Sequence, residues 1–432
     1  MPRGNPRPRT ASAAARLGQT RRDAGSPAAL VRWPAAADVH GRHAAGPRIH
    51  AAWRPASNPH GVHTRSILAD MNEPFSGSYA PAEVGFLMRR MHLETTALED
   101  RERLIQSGQR HYSEMIGPED APTRGRLKLF RECLASNGDR MAGDLSVLAA
   151  AMAASAVNGE LTVVSIARAG TPVGVLLWHR LREIAPDLQL KHYSISVIRD
   201  RGVDRAALRW IMSRHEPTSL RFVDGWTGKG TIADELRMSI AAWPEAPADL
   251  DPGLWVPLDV CGAAKYAASC DDYLIPSTLL GGTLSGLVSR SVLPSGEEIG
   301  DDFHGCVPLD SLRRYDLSRW FIGEIRSRLA ELTSPDGSPP NARSGPARRG
   351  ETARCLDSML KRHGLSDRNR IKLGIGETVR VLLRRKPQIV YMSDRTNPTD
   401  AALIRRLAKL RNVPVTAEPG LPFDAIAVIA SA

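Results

Sequence analysis

The stretch Phe222-Val223-Asp224-Gly225-Trp226-Thr227-Gly228-Lys229-Gly230-Thr231 decides how this chain folds. Residues 220–223 are a short apolar run of strand character. The glycines that follow mark a turn, and residues 231–240 carry a helical pattern. In open α/β sheets, ligands sit outside the carboxyl ends of the strands. The start of a helix offers free N–H groups and the positive end of its dipole, which suits a phosphate. Gly228 and Gly230 let the backbone approach closely. Thr227 and Thr231 supply hydroxyls, Lys229 supplies a point charge, and Asp224 can accept hydrogen bonds from sugar hydroxyls. A Walker A loop is excluded, because Val223 and Gly230 stand where that pattern needs a glycine and a Ser or Thr. A plain tight turn is the alternative, but it requires neither the two Thr nor the Lys and Asp.

Working outward, Ser165-Ile166-Ala167-Arg168-Ala169-Gly170-Thr171-Pro172 is a second junction of the same kind. A buried strand is expected over 161–166 and a helix over 171–183, with Pro172 placed for a helix start. Arg168, Ala169 and Gly170 would form a loop at the sheet mouth that holds a diphosphate. A strand over 192–198 runs into Arg199, Asp200 and Arg201, a charged loop read either as a flexible cover for a phosphorylated ligand or as a solvated connection. Helices are expected over 145–157 and 205–214. Strands alternating with helices argue for an α/β fold with a parallel sheet covered on both faces.

The chain has 432 residues and a formal net charge of +11. Residues 1–70 hold 11 Arg and no Lys against 3 Asp, residues 71–342 hold 29 basic and 36 acidic side chains, and residues 343–432 hold 18 basic and 8 acidic. The first segment has no helical or strand period and reads as a disordered basic extension, to which no function is given. Residues 334–350, rich in Pro, Gly, Ser and Arg, read as a linker between a central domain (71–333) and a C-terminal domain (351–432). Five cysteines, an odd number, and no secretory pattern point to a reduced cytoplasm, and no apolar run is long enough to span a bilayer.

The three loops, in this order, resemble the type I phosphoribosyltransferase fold. That resemblance implies a phosphoribosyl or nucleotide-like ligand held by Asp224, Thr227, Gly228, Lys229, Gly230 and Thr231, with Mg²⁺ accompanying phosphoribosyl diphosphate. The motif of that fold has two adjacent acidic residues. Here the pair is Asp224-Gly225, so the handling of Mg²⁺ and ribose departs from it. Longer strings resemble the StiP family found with bacterial tellurium-resistance operons. They include Gly77-Ser78-Tyr79, residues 102–108, His111-Tyr112-Ser113-Glu114-Met115, residues 271–277, residues 285–290 and Asp302-Phe303-His304-Gly305-Cys306. The resemblance covers about residues 75–330. The family carries the label cysteine protease and has also been read as phosphoribosyltransferase-like.

A cysteine protease needs a thiolate, a histidine within hydrogen-bond reach and an oxyanion hole. His304 and Cys306, two apart, would point to opposite faces of a strand. Cys261 with His304 is therefore the better dyad, although an isolated cysteine is most often a small buried hydrophobe. A zinc site from Cys261, Cys270, His304 and Cys306 is argued against by the lack of any C-x₂-C pair.

The C-terminal segment reads as a small α/β domain, with a helix over 378–385, a strand over 387–392, a basic helix over 400–411 and strands over 413–416 and 424–429. Gly374-Ile375-Gly376-Glu377, with Val379 and Leu382, resembles the Pelota-type RNA-binding domain. Gly376, Arg380, Arg384, Arg385, Lys386, Arg405 and Arg406 would supply its RNA-binding surface. The charge exceeds what solubility needs. Only Tyr391 and Phe423 interleave as aromatics, which argues against base stacking and for backbone or shape readout of structured RNA. The combined reading is a phosphoribosyltransferase-like enzyme positioned on RNA. The alternatives are a cysteine protease and a non-catalytic RNA-binding adaptor.

Overall fold

The computed structural model describes residues 73–296, 302–332 and 345–429. The extension expected over 1–70 and most of the expected linker lie outside them. Residues 345–350, also expected in the linker, instead open the helix Gly345–His363.

Six parallel strands form the central sheet: β1 (Gly85–Phe86), β3 (Glu160–Ile166), β4 (Gln189–Ile195), β7 (Leu220–Val223), β8 (Leu254–Leu258) and β9 (Tyr266–Ser269), in the order β1-β4-β3-β7-β8-β9. From β3 the chain goes to β4 on one side, then crosses back to β7, β8 and β9 on the other. The strand order therefore reverses between β3 and β7, and that is where a ligand crevice forms in such sheets. Strand β3, ELTVVSI, is apolar and β-branched and buried along nearly its whole length, as a central parallel strand must be. The expected strand over 192–198 divides in two. Strand β4 ends at Ile195, and Val197–Ile198 (β5) turns back antiparallel onto Gly202–Val203 (β6). A short strand β2 (Arg89–Arg90) pairs with β10 (Gly305–Cys306).

One face of the sheet is covered by α2 (Arg124–Ala154), α3 (Gly170–Ile184) and α6 (Ser318–Ala330), whose apolar residues join a single large cluster. The other face carries α4 (Arg205–Met212) and α5 (Thr231–Ala241) on a second cluster around Phe222, Val164 and Leu236. Helix starts follow capping chemistry. Thr123 Oγ1 accepts from Arg126 N–H (3.2 Å) at α2, and Asp204 Oδ1 accepts from Ala207 N–H (2.9 Å) at α4. A shorter helix, α1 (Leu98–Gln106), precedes both.

The C-terminal domain begins with α7 (Gly345–His363). Its sheet has four strands, β11 (Ile371–Leu373), β12 (Ile389–Met392), β13 (Val415–Ala417) and β14 (Ala425–Val428), in the order β11-β14-β12-β13. Two helices, α8 (Ile375–Arg384) and α9 (Pro398–Leu410), pack on it. Its core is continuous with the central domain: Ile375, Val379 and Leu356 belong to the same apolar cluster as Val260, Tyr273 and Ile275. Among the described residues, no helix is long and apolar enough to cross a membrane.

Candidate ligand-binding cleft

The two strand-end loops meet backbone to backbone at the reversal point. A Cβ built on Gly170 would lie 2.5 Å from the Val223 carbonyl oxygen, and one on Gly225 would lie 3.0 Å from that of Ala169. Gly170 and Gly225 are thus the residues that let the loops close on each other. The second carboxylate missing at position 225 has a steric cause, because a side chain there would press on the Ala169 carbonyl. The Ala167–Arg168 peptide is cis. Arg168 Nη1 donates to Glu119 Oε1 (2.5 Å) and to the Val288 carbonyl (3.1 Å), so the guanidinium is anchored at the sheet mouth.

In the loop after β7, Asp224 is buried and its Oδ1 accepts from Gly225 N–H at 2.7 Å. Burial pushes its carboxyl up to about 7, against the opposing pull of that N–H and of Arg380. Gly230 takes φ +82° at the start of α5, a conformation costly for any other residue. Thr227 was expected to face a phosphate, but its hydroxyl donates to Asp259 Oδ1. The Asp259 carboxylate also receives the N–H groups of Cys261, Gly262, Ala263 and Ala264 at 2.9–3.2 Å, so it organises the turn after β8 and fixes Thr227. Lys229 Nζ donates to the Arg368 carbonyl (2.7 Å) and to Asn369 Oδ1 (3.3 Å) in the C-terminal domain. Burial, aided by nearby Lys372, lowers its pKa to about 8.

These loops line a cavity of about 1010 Å³ whose opposite wall is the C-terminal domain. Ten basic residues line it, among them Arg168, Lys229, Arg290 and Lys372, against four acidic ones. Arg380, Arg384, Arg385 and Lys386, assigned by sequence to a separate RNA surface, form part of this wall. Gly376 sits beside it, its Cβ position 3.8 Å from Trp226 Nε1, and Arg380 lies over the Trp226 ring at 5.4 Å. Arg405 and Arg406 do not take part. Both are exposed on α9, and Arg406 pairs with Glu132 of α2 at 2.7 Å.

The 199–201 loop contributes Arg199 alone to the cavity lining. It is the turn of the β5–β6 hairpin and is tied down, with Asp200 N–H donating to Glu235 (2.8 Å) and Arg201 pairing with Glu114 (3.2 Å). Arg199 and Arg290 both lie over the Tyr112 ring, at 5.0 and 5.4 Å. Arg290 Nη1 and Ser277 Oγ are buried atoms with no hydrogen-bond partner among the described residues, and both residues line the cavity.

The sequence-proposed dyad is not assembled. Cys261 Sγ contacts Thr227 Oγ1 (3.4 Å) and Asp259 Oδ1 (3.5 Å), and burial beside Asp259 pushes its thiol up to about 12. His304 belongs to the β10 region, where its Nδ1 meets Ser196 Oγ at 2.8 Å and burial lowers its pKa to about 4. Neither side chain is a hydrogen-bond partner of the other, and His304 Nε2 is buried with no hydrogen-bond partner among the described residues. Among the described residues no cluster of three or more His, Cys, Asp or Glu is arranged to hold a metal.

Asp259, Glu377, Tyr112, Arg290 and Arg349 are site residues to which the sequence assigned no role. Asp259 ends a strand ahead of a glycine, which was a usable signal. Tyr112 and Arg290 lay inside the strings that carried the family resemblance, but nothing in those strings pointed to a cleft.

Comparison with known proteins fits this two-part architecture. Residues 77–326 match the family described as tellurite-like stress resistance cysteine protease StiP, and residues 351–431 match the PELOTA RNA binding domain. A curated protein named cysteine protease StiP, from Acinetobacter baylyi (strain ATCC 33305 / BD413 / ADP1), is 38% identical over 369 residues, spanning 83% of this chain and 95% of that protein. Among solved structures, an amino transferase from Eubacterium rectale covers 84% of this chain and 87% of its own, at 10% identity and a TM-score of 0.20, a value that carries no structural argument. The chain belongs to the StiP family and ends in a PELOTA RNA binding domain.

Proposed function

We propose that the cleft binds a phosphoribosyl or nucleotide-like ligand and that the C-terminal domain presents RNA to it, in a phosphoribosyltransferase-like reaction. The observation that carries this reading is convergence: the strand-end loops and the basic side chains of α8 line one cavity. The backbone N–H groups of 228–231, at the start of α5, would hold the 5′-phosphate. Arg168, with its neighbour Arg290, would hold a leaving diphosphate. Asp224 would accept from a ribose hydroxyl. Mg²⁺, when present, would neutralise the diphosphate. Asp224 is the carboxylate of this loop available to it, which suits an ion bound mainly through substrate phosphates. Arg380, Arg384, Arg385 and Lys386 would track the RNA backbone.

The protease activity in the relative's name requires a thiolate and a paired base. In this chain Cys261 is buried with a raised pKa and has Thr227 and Asp259 as neighbours, so that chemistry is not assigned to it. Cys133, Cys261, Cys306 and Cys355 are unbridged thiols, which suits a reducing compartment.

The test is thermal melting of the full chain with phosphoribosyl diphosphate and Mg²⁺. A rise in Tm that disappears in Asp224→Ala and Lys229→Ala is the expected result. An unchanged melting curve at millimolar ligand would refute the reading.

A further inference from the structure

One acidic side chain lies where the phosphate-loop reading has no place for it. Glu377, on the first turn of α8, sits directly against Gly228. A Cβ on Gly228 would lie 3.0 Å from Glu377 Cγ and 3.7 Å from its Cδ. The side chain therefore packs its methylene on the turn whose backbone would receive a phosphate, and Oε1 lies 4.0 Å from the same position. It is ion-paired with Arg380, three residues on, which also projects its field onto Asp224. Burial alone would raise the Glu377 carboxyl, but Arg380 and Lys372 outweigh burial and hold it below the ordinary carboxylate range. Glu377 is thus ionised at neutral pH, in a cleft otherwise dominated by cations.

Two other contacts fasten the same loop to the same domain. Lys229 Nζ is held by Arg368 and Asn369, and Arg349 Nη1 donates to the Lys229 carbonyl at 2.8 Å while its Nη2 pairs with Asp234 on α5. The C-terminal domain therefore grips residues 228–230 from three sides. Between its grips it places a negative charge at the turn.

We infer that Glu377 is a built-in anionic occupant of the phosphate loop, and that a phosphorylated ligand binds by replacing its carboxylate and taking over Arg380. This rests on the phosphate-loop reading above and adds a gate to it. A phosphate on the N–H groups at Gly228 would stand against the Glu377 side chain, and two like charges at that separation in a half-buried site repel strongly. Entry of the ligand therefore requires Glu377 to swing out. Arg380, released from its partner, is then free to pair with the incoming anion. Glu377 would also act as a specificity filter, since a neutral or weakly charged ligand cannot offset the loss of the Glu377–Arg380 pair.

The experiment is titration calorimetry of the full-length chain with inorganic pyrophosphate, comparing wild type, Glu377→Gln and Lys229→Ala. Gln keeps the packing on Gly228 and removes the charge, and the ligand-free melting temperature checks that the variant is folded. The expected result is tighter binding by Glu377→Gln, by about tenfold, within the usual range of coupling between two occupants of one site. Equal or weaker binding by Glu377→Gln, with wild type binding and Lys229→Ala impaired, would overturn the gate and leave the phosphate loop standing. No binding by either wild type or Glu377→Gln would overturn both. Should Glu377→Gln melt abnormally, Glu377→Asp, with a carboxylate drawn back by one methylene, serves in its place. Binding at least as tight as wild type is then expected, and weaker binding overturns the gate.

Discussion

Asp272 is the sharpest place to test whether the two domains are built as one unit. It follows β9 in the central domain, is buried, and belongs energetically to the C-terminal domain. Both of its oxygens accept from Ile375 N–H at 3.0 Å, the first residue of α8, and Oδ2 also accepts from Asp424 N–H at 3.2 Å. Gly374 at φ +86° allows this approach, since its Cβ position is 3.2 Å from Asp272 Oδ1. Asp272→Ala leaves two backbone donors without acceptors, each worth about 1–3 kcal/mol when buried. It also removes an anion from a helix N-terminus, worth about 0.3–1 kcal/mol. The carboxylate is costly to bury, and its loss returns part of this, so the net destabilisation is set at about 3 kcal/mol. The assay is urea unfolding of the full chain, followed by tryptophan fluorescence. A pH dependence accompanies it. Burial raises the Asp272 pKa to about 7 from an ordinary 3.8, so between these values the folded chain binds a proton that the unfolded chain does not. This group therefore makes the wild type more stable as pH falls from about 7 towards 4. The variant lacks the group, so the gap between them widens over that window. A loss below about 1 kcal/mol, or a gap independent of pH, would refute the reasoning.

Three further outcomes are expected. Gly225→Asp, which restores the adjacent acidic pair, lowers stability by about 1–3 kcal/mol in thermal melting because the new side chain meets the Ala169 carbonyl, and it does not strengthen binding of phosphoribosyl diphosphate. Replacing Arg384, Arg385 and Lys386 by Ala reduces the salt slope of structured-RNA binding by about 1 for each phosphate no longer neutralised, measured by fluorescence anisotropy from 50 to 300 mM salt, whereas Arg405→Ala with Arg406→Ala leaves the slope unchanged. With a thiol reagent at pH 8, half-buried Cys270 reacts first, while Cys261 and Cys306, both pushed up to about 12 by burial, react on the timescale of unfolding; selective labelling of Cys261 would instead favour the hydrolase alternative.

The parts of the fold legible in the sequence were those in which a β-branched run ends in glycine. β3 and β7 both read that way, and so did the loops after them. β8 did not, because Pro257 interrupts LWVPL and a proline argues against a strand in the middle of a sheet. Only the Ala-rich end of α2 was recognised. Its first two turns and middle carry Arg, Asn137, Gly138 and Asp139, whose helical placement depends on packing against α6 and the 271–275 segment. The charged helices show the same limit from the other side. Arg384 and Arg406 look alike as letters, yet one lines the cleft and the other turns to Glu132, a difference set by how α8 and α9 dock. Glu377 could not be read as a site residue, since Gly228, on which it packs, lies in another domain far away in the chain.

The order of strands in the small domain bears on how the gene can change. β14 is last in sequence among the four strands but sits in the interior, between β11 and β12, bonded to both. A frameshift or stop codon between Ala417 and Ala425 would therefore not trim an edge. It would leave β11 and β12 each with an open flank and no neighbour to join them, and α8, which carries the basic wall of the cleft, would lose the surface it rests on. Damage late in the reading frame is thus felt at the ligand-facing edge of a distant sheet, and selection on that edge reaches to the codons of β14.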